Sequence, residues 1–586
     1  MAGQPKAAFY VVLFLVVGGL IAMAAYRSDI FAPAGKNPVN PGGPIEPGPL
    51  GQDSIPKPTA ENSDPDIAGS VTTVKEYMFT PAERLPPVKG TSAYKPLVNN
   101  TVRFALNVWA GWGPIILANE GFKADKVWKT PDGKDFRVEL VLIDDPVAMR
   151  GAYAAGEVHI GWGTLDMVPL LLDGLLASKD SRVMPRIYQQ VDWSNGGDGI
   201  VVRENIRSVG DLRGKRLVLA QNSPSQYFAL NMLVAAGVQP SEVDMVYTPT
   251  AFEAARAFEK NRDIAGAVSW APDIYKLAEL KGNRMLVTTQ TANKLIADIW
   301  FARADFAKDH PGIIEGLVRG IFDGMEGLKD QKNKERCAKL MGAGYGIAPS
   351  ETINMFGDAH STNWAENYQF FVNQNNPTNF ERVWQQSYYL YKRIGAIENP
   401  AVPFDQVMDF SIIERLGKER KYSSQRDEYR ITLAPKGISQ IKAESDEILT
   451  NTVIIHFYPN SWNLRKAITK EVDGKTIEEL YDPSVDLVLE EIAKLTEQFG
   501  AARVIVQGHT DSSMRGSVPE QLVKELSSNR ANAVKEALVA KFSLEPNKFS
   551  AEGLGWDQPA DENDPENHAK NRRVEVKVYS AEKEKQ

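Results

Sequence analysis

Hydrophobic positions fall into three regimes along this chain. Residues 7–25 form an unbroken apolar run without a charge. At about 1.5 Å per residue, a helix of this length approaches the thickness of a bilayer core. From residue 30 to about residue 58 long apolar side chains almost vanish. Pro33, Pro38, Pro41, Pro44, Pro47 and Pro49 recur every few residues, which disfavours helix and sheet and predicts an extended spacer. Beyond residue 100, short apolar strands alternate with helical patterns, as in α/β units. Residues 102–108 predict a strand running into Trp109-Ala110-Gly111-Trp112-Gly113-Pro114, with a helical pattern from Ile115. Residues 158–164 repeat the arrangement, placing Trp162 and Thr164 at a strand end. Further strands are expected at 199–202, 215–219 and 265–270; the second leads through Gln221-Asn222-Ser223-Pro224-Ser225 into a helix. Near the C-terminus, Arg503-Val504-Ile505-Val506-Gln507 alternates like a half-buried strand. Leu522, Leu526, Val534, Leu538 and Phe542 then recur at helical spacing.

Composition narrows the class. The chain has 586 residues, 43% apolar and 24% charged, with a net charge of −8, ordinary for a globular protein of several domains. Mild acidity gives no support to nucleic-acid binding, which asks for clustered Lys and Arg. Cys337 is the only cysteine, so no disulfide forms within the chain, a state compatible with a reducing compartment or an envelope. No Ser-His-Asp constellation, metal cluster or phosphate loop stands out, so neither catalysis, metal nor cofactor is expected. His509 and Asp511 alone do not make a zinc site, which needs three or four ligands. Residues 7–25 admit two readings, an uncleaved anchor or a signal peptide cut near Ala22-Met23-Ala24; the length favours the anchor. Lys6 precedes the run, and Arg27 is offset by Asp29 after it. This asymmetry places residues 1–6 in the cytoplasm and the bulk outside it.

The C-terminal chemistry centres on two residues. Asp511 lies just past a strand end, where a loop presents its carboxylate, and Arg530 borders the apolar stripe of a helix. Such a cation snorkels to water or meets an anion. The bland alternatives are that Asp511 caps the following turn and that Arg530 pairs with Glu525 or Glu536. In order and spacing, Gly508-His509-Thr510-Asp511, Leu526-Ser527-Ser528-Asn529-Arg530-Ala531 and Asn571-Arg572-Arg573-Val574 resemble the OmpA-like peptidoglycan-binding domain, over residues 452–579. The resemblance implies that Asp511 holds the ammonium, and Arg530 the carboxylate, of the diaminopimelate end of a stem peptide. A zwitterionic end does need one acceptor and one planar, two-pronged donor. Thr510, Asn460 and Asn571 are carried over as further pocket positions. Val523 departs from the family pattern, which often has Asn there, and removes one expected hydrogen bond.

In the middle region, strand-end positions nominate Trp109, Trp112, Trp162, Thr164, Asp198, Ser223, Ser225, Trp270 and Asp273 as ligand contacts. Ser223 and Ser225 open a helix, where free N–H groups attract an anion; Trp faces with Asp198 or Asp273 favour a cation. The ligand's charge stays open at this point. Asp211-Leu212-x-Gly214-Lys215, Trp109-x-Gly111-Trp112, Ala155-Gly156-Glu157 and Trp270-x-Pro272 together resemble the periplasmic solute-binding proteins of the nitrate/taurine/thiamine-precursor type, receptors of ABC importers. The resemblance implies two α/β lobes closing on a small ligand.

The expected fold is therefore α/β: a two-lobed periplasmic-binding-protein-like region plus a small α/β OmpA-like domain, preceded by one transmembrane helix and a Pro-rich linker. The boundaries expected are 1–6 tail, 7–25 anchor, 26–100 linker and lead-in, 101–418 clamshell, 419–450 connector and 451–580 wall-binding domain. The function expected is that of a non-enzymatic inner-membrane protein, single-pass, with its bulk in the periplasm. It would hold peptidoglycan and take an unidentified small molecule for uptake or sensing. The alternative is a stator-like or scaffold subunit whose clamshell is a spacer or docking module, although residues 7–25 lack the acid of ion-driven motors. An importer permease or a motor-type membrane protein are the corresponding partners, and the sequence leaves room for a homodimer.

Overall fold

The computed structural model describes residues 71–472 and 475–580. The apolar run 7–25 and the spacer 30–58 lie outside the described residues, so the anchor expected there is not placed. Among the described residues no helix is long and apolar enough to cross a membrane.

Two sheets make the clamshell. Strands β1 (Thr101–Leu106), β2 (Trp128–Lys129), β3 (Asp135–Leu142), β4 (Ile160–Thr164) and β5 (Pro185–Ser194) begin the first lobe. The chain then crosses to the second lobe for β6 (Asp198–Arg203), β7 (Arg216–Ala220), β8 (Asp244–Thr248), β9 (Gly266–Trp270) and β10 (Asn283–Thr288). It returns for β11 (Ala297–Arg303) and β12 (Ala359–Ser361). The first sheet is seven-stranded, ordered β12-β5-β11-β4-β1-β3-β2; the second has five strands, ordered β10-β6-β9-β7-β8. β11 is buried along its whole length and β5 nearly so. With both faces covered, even Gln189, Gln190 and Asp192 of β5 and Asp298 of β11 are buried. Helix α1 (Pro224–Ala235) starts with Pro at its first turn and is buried from Ser225 to Leu233. Helix α2 (Phe380–Arg393) packs beside it, with Tyr391 6.4 Å from Tyr227 between ring centroids.

The C-terminal domain is a four-stranded sheet in the order β13 (Glu447–Val453), β18 (Val574–Tyr579), β16 (Arg503–His509), β17 (Phe549–Gly555). A hairpin of β14 (Ala467–Val472) and β15 (Lys475–Leu480) stands apart from it. Helix α3 (Val485–Gln498) precedes β16. Helix α4 (Glu520–Phe542) links the parallel pair β16 and β17. It lies so close to the sheet that a Cβ on Gly508 would sit 2.1 Å from the Ser527 carbonyl oxygen. Glycine in this strand-end motif is thus a packing requirement.

Two features tie the clamshell together. The lead-in forms a strap: Val71, Tyr77 and Phe79 pack on the outer core of the second lobe. Thr73 donates its N–H to Asp273 at 2.9 Å. Thr80 pairs with Tyr247. Further along, the Pro86 carbonyl accepts from Arg150, and Ser92 Oγ donates to Ala155 O at 2.7 Å in the first lobe. The C-terminal domain supplies the second brace. Glu490 pairs with Arg382 at 2.8 Å, Glu497 pairs with Lys294 between β10 and β11, and Asn451 Nδ2 donates to Ala235 O at 2.9 Å at the end of α1.

Candidate functional site

The C-terminal domain presents a recess at the end of its sheet, about 420 Å³ with its open mouth, lined by Phe457, Tyr481, His509, Arg530 and Arg572 among others. Arg530 projects from α4 and is nearly buried at 8% exposure. Its Nε donates to Ser461 O at 3.1 Å, and its guanidinium lies 4.9 Å from the centre of the Phe457 ring. Burial lowers its pKa, and the nearby Arg572 adds to this while Asp511 opposes it. Among the described residues no carboxylate pairs with it. A buried guanidinium without an anion is an unfinished ion pair. Among the described residues the alternative pairing with Glu525 or Glu536 does not form.

Asp511 takes the capping role and also pairs within its own domain. It caps the turn Ser512–Met514 by accepting from Ser513 N at 2.8 Å, and it faces cations: Arg572 Nε at 3.0 Å and His568 Nδ1 at 3.6 Å. Both partners are exposed residues. Thr510 is buried with no partner for its hydroxyl. Asn460 sits exposed in a turn at φ +51°. Asn571 departs from its expected pocket role, because both ends of its amide hold the preceding loop: Oδ1 accepts from Ala560 N and Nδ2 donates to Pro565 O, each at 2.7 Å. Val523 is core, 1% exposed. Burial drops the His509 pKa to about 4, so its ring is neutral.

The clamshell candidates divide. Trp112 and Trp162 belong to the core of the first lobe, their indole N–H groups spent on Asn107 Oδ1 (2.7 Å) and Ile143 O (2.9 Å). Trp270 packs edge-on against Phe252, 5.6 Å between centroids. Asp273 is held by Thr73 of the strap rather than left open to a solute. Ser223 caps α1 in position only, since its Oγ donates back to Ala220 O at 2.9 Å. Ser225 is fully buried with no partner for its hydroxyl.

Trp109, Thr164 and Asp198, by contrast, meet at the seam between the lobes, with three acids the sequence did not single out. Asp298 on β11 stands directly opposite Asp192 on β5 and Thr164 on β4, about 4.5–5.5 Å away Cα to Cα. The register slips just after Asp298, and such bulges re-aim side chains beside functional sites. Trp109 Nε1 donates to Asp192 Oδ1 at 3.2 Å, and Ser194 Oγ donates to Asp198 Oδ2 at 2.7 Å in the first crossover. A Cβ on Gly111 would fall 1.6 Å from Asp192 Oδ2, so only glycine fits beneath that carboxylate. Burial pushes Asp166, Asp192 and Asp198 up to about 7, and burial with mutual repulsion raises Asp298 further. The signal for two of them was legible: Asp192 lies between Val191 and Trp193, and Asp298 between Ala297 and Ile299, an acid set between apolar neighbours in each strand.

The chain thus joins a clamshell with two crossovers to a strand-helix-strand domain with a cationic recess. The OmpA family model matches residues 457–573. The NMT1/THI5 like model matches residues 186–333. The taurine-binding periplasmic protein of Escherichia coli is 27% identical over 224 residues, 36% of this chain and 66% of its own length. Outer membrane protein Omp38 of Acinetobacter baumannii is 33% identical over 113 residues, 19% of this chain and 30% of its own length. The chain thus spans under two thirds of the first relative and under one third of the second. Among solved structures, the periplasmic aliphatic sulphonate binding protein SsuA of Escherichia coli aligns at 17% identity and TM-score 0.41, over 52% of this chain and 96% of that one. The chain is a fusion of a solute-binding-protein-like region with a C-terminal OmpA domain.

Proposed function

We propose that this protein is a non-enzymatic component of the cell envelope that grips peptidoglycan with its C-terminal domain and takes a small solute between its two lobes. The observation that carries the first part is Arg530: a nearly buried guanidinium, oriented by Ser461 and Phe457 and lacking an anion, in a recess shared with the neighbours of Asp511. The carboxylate and ammonium of a diaminopimelate stem end complete both groups, Arg530 by a two-pronged bond and Asp511 by replacing Arg572. The relatives named for taurine binding and for the outer membrane fit an envelope setting, with residues 7–25 as an inner-membrane anchor. Co-sedimentation of the purified protein with peptidoglycan sacculi tests this. The parent is expected to pellet with sacculi and the Asp511→Ala, Arg530→Ala double variant to stay in the supernatant; equal pelleting would sink the proposal.

The strap and the C-terminal brace favour a second reading, in which the clamshell is a rigid spacer or docking module for a motor-type membrane partner. A spin-label distance across the lobes separates the two. Shortening or lengthening on solute addition supports a receptor working with an importer permease; a fixed distance supports the spacer.

A further inference from the structure

We propose that the seam between the lobes recognises a solute through a primary ammonium group, held among Asp166, Asp192, Asp198 and Asp298 with Thr164 and Tyr391 alongside. The proposal deepens the solute-binding reading above and rests on it. Among the described residues, none of these four carboxylates pairs with Lys or Arg. All are buried, at 1%, 0%, 4% and 6% exposure. Buried carboxylates beside one another repel and lose hydration, which drives their pKa values up; a cation among them offsets both costs.

Orphaned polar atoms supply the independent observation. Asp166 Oδ1 and Oδ2, Asp192 Oδ2, Thr164 Oγ1 and Tyr391 Oη are all buried with no partner in good hydrogen-bond geometry, although Thr164 and Tyr391 stand close enough to Asp166, and Asp298 to Asp192, to shift their titration. Asp166 belongs to the first lobe and Tyr391 to α2; burial, and after it the nearby Asp166 charge, raises the pKa of the phenol. Native interiors rarely leave such groups unmet. Most of them are acceptors, and an ammonium brings three N–H donors to satisfy them. Among the described residues no three His, Cys, Asp or Glu side chains converge tightly enough to hold one metal ion. The four acids lie on both sides of the crossovers Ser194–Asp198 and Thr288–Ala297, so the solute enters as the lobes part.

The test uses the full-length protein and two probes, putrescine for the ammonium and methanesulfonate for an anion, followed by calorimetry. Saturable binding of putrescine is expected. Asp166→Asn and Asp298→Asn should each weaken it ~10- to 100-fold, as loss of a charged hydrogen-bond partner does. Without solute, Asp298→Asn should melt above the parent, because the buried Asp298, held well above the carboxylate range, no longer has to take up a proton on folding. If Asp298→Asn instead melts lower and loses binding, its seam has collapsed and Asp166→Asn decides. Variants that bind putrescine as the parent does overturn the inference. Binding of methanesulfonate without putrescine overturns it too, while leaving the solute-binding reading intact. Binding of neither probe removes both.

Discussion

The recess of the C-terminal domain and the seam of the clamshell are opposites in charge and in access. The recess is open, and its central group is a cation without an anion. The seam is closed, and its groups are acids without a cation. Both hold buried charge unsatisfied, and the remedy for each is a ligand of the opposite sign. The difference lies in what surrounds them. Arg530 borders the exposed Arg572, whereas the seam acids are buried between the two lobes. A stem-peptide end can dock on a standing surface; a solute in the seam must first part the walls.

The comparison is tested hardest by the double variant Asp511→Ala, Arg530→Ala. Its binding to sacculi should fall ~100-fold or more, since both halves of the ligand lose their partner, while putrescine binding to the same protein stays unchanged. A loss of both would show that the two sites are not separate. Arg530→Lys sharpens the geometry: it keeps the charge but loses the planar fork, and wall binding should drop ~10-fold. Next comes the strap. Asp273→Asn weakens the bonds from Thr73 and should lower unfolding free energy by about 1–3 kcal/mol, read by urea denaturation, with wall binding untouched.

The smallest effect is in pH. The folded pKa values of Asp166, Asp192 and Asp198 are raised to about 7, above those of the unfolded chain. The native state therefore binds more protons than the unfolded one between about pH 4 and 7, and stability is lost as pH rises through that window. His159 and His509, whose pKa values burial lowers, act in the opposite sense but are outnumbered. The solute-free protein should melt a few degrees higher at pH 5.5 than at pH 7, and Asp298→Asn should flatten that slope. A midpoint that falls on acidification would show that the seam acids are already neutralised by contacts within the chain.

The sequence reached the recess more fully than the seam, for a physical reason. Asp511 and Arg530 stand in local motifs, a strand end and a helix face, whose periods place them without knowledge of the rest of the chain. The seam is made by strand order: β4, β5 and β11 become neighbours only through a return from the other lobe. Asp192 and Asp298 are far apart in sequence and meet only in that sheet. Trp112 and Trp162 mislead for the same reason, since a strand-end tryptophan reads alike whether it faces a cleft or fills a core. Asp273 was a sound nomination for an open carboxylate until the strap covered it, and no period announces the strap.

One half-buried ion pair ties these regions mechanically. Lys294 lies in the second crossover of the clamshell, and its ammonium is held by Glu497 of α3 in the C-terminal domain. Its backbone N–H also donates to Gln498 O at 3.2 Å. A rotation of the lobes about their crossovers must therefore swing the C-terminal domain with it or sever that bond. In a protein moored at the wall, the mesh would then act as a load on the hinge, and the tension of the sacculus would enter the free energy of lobe opening.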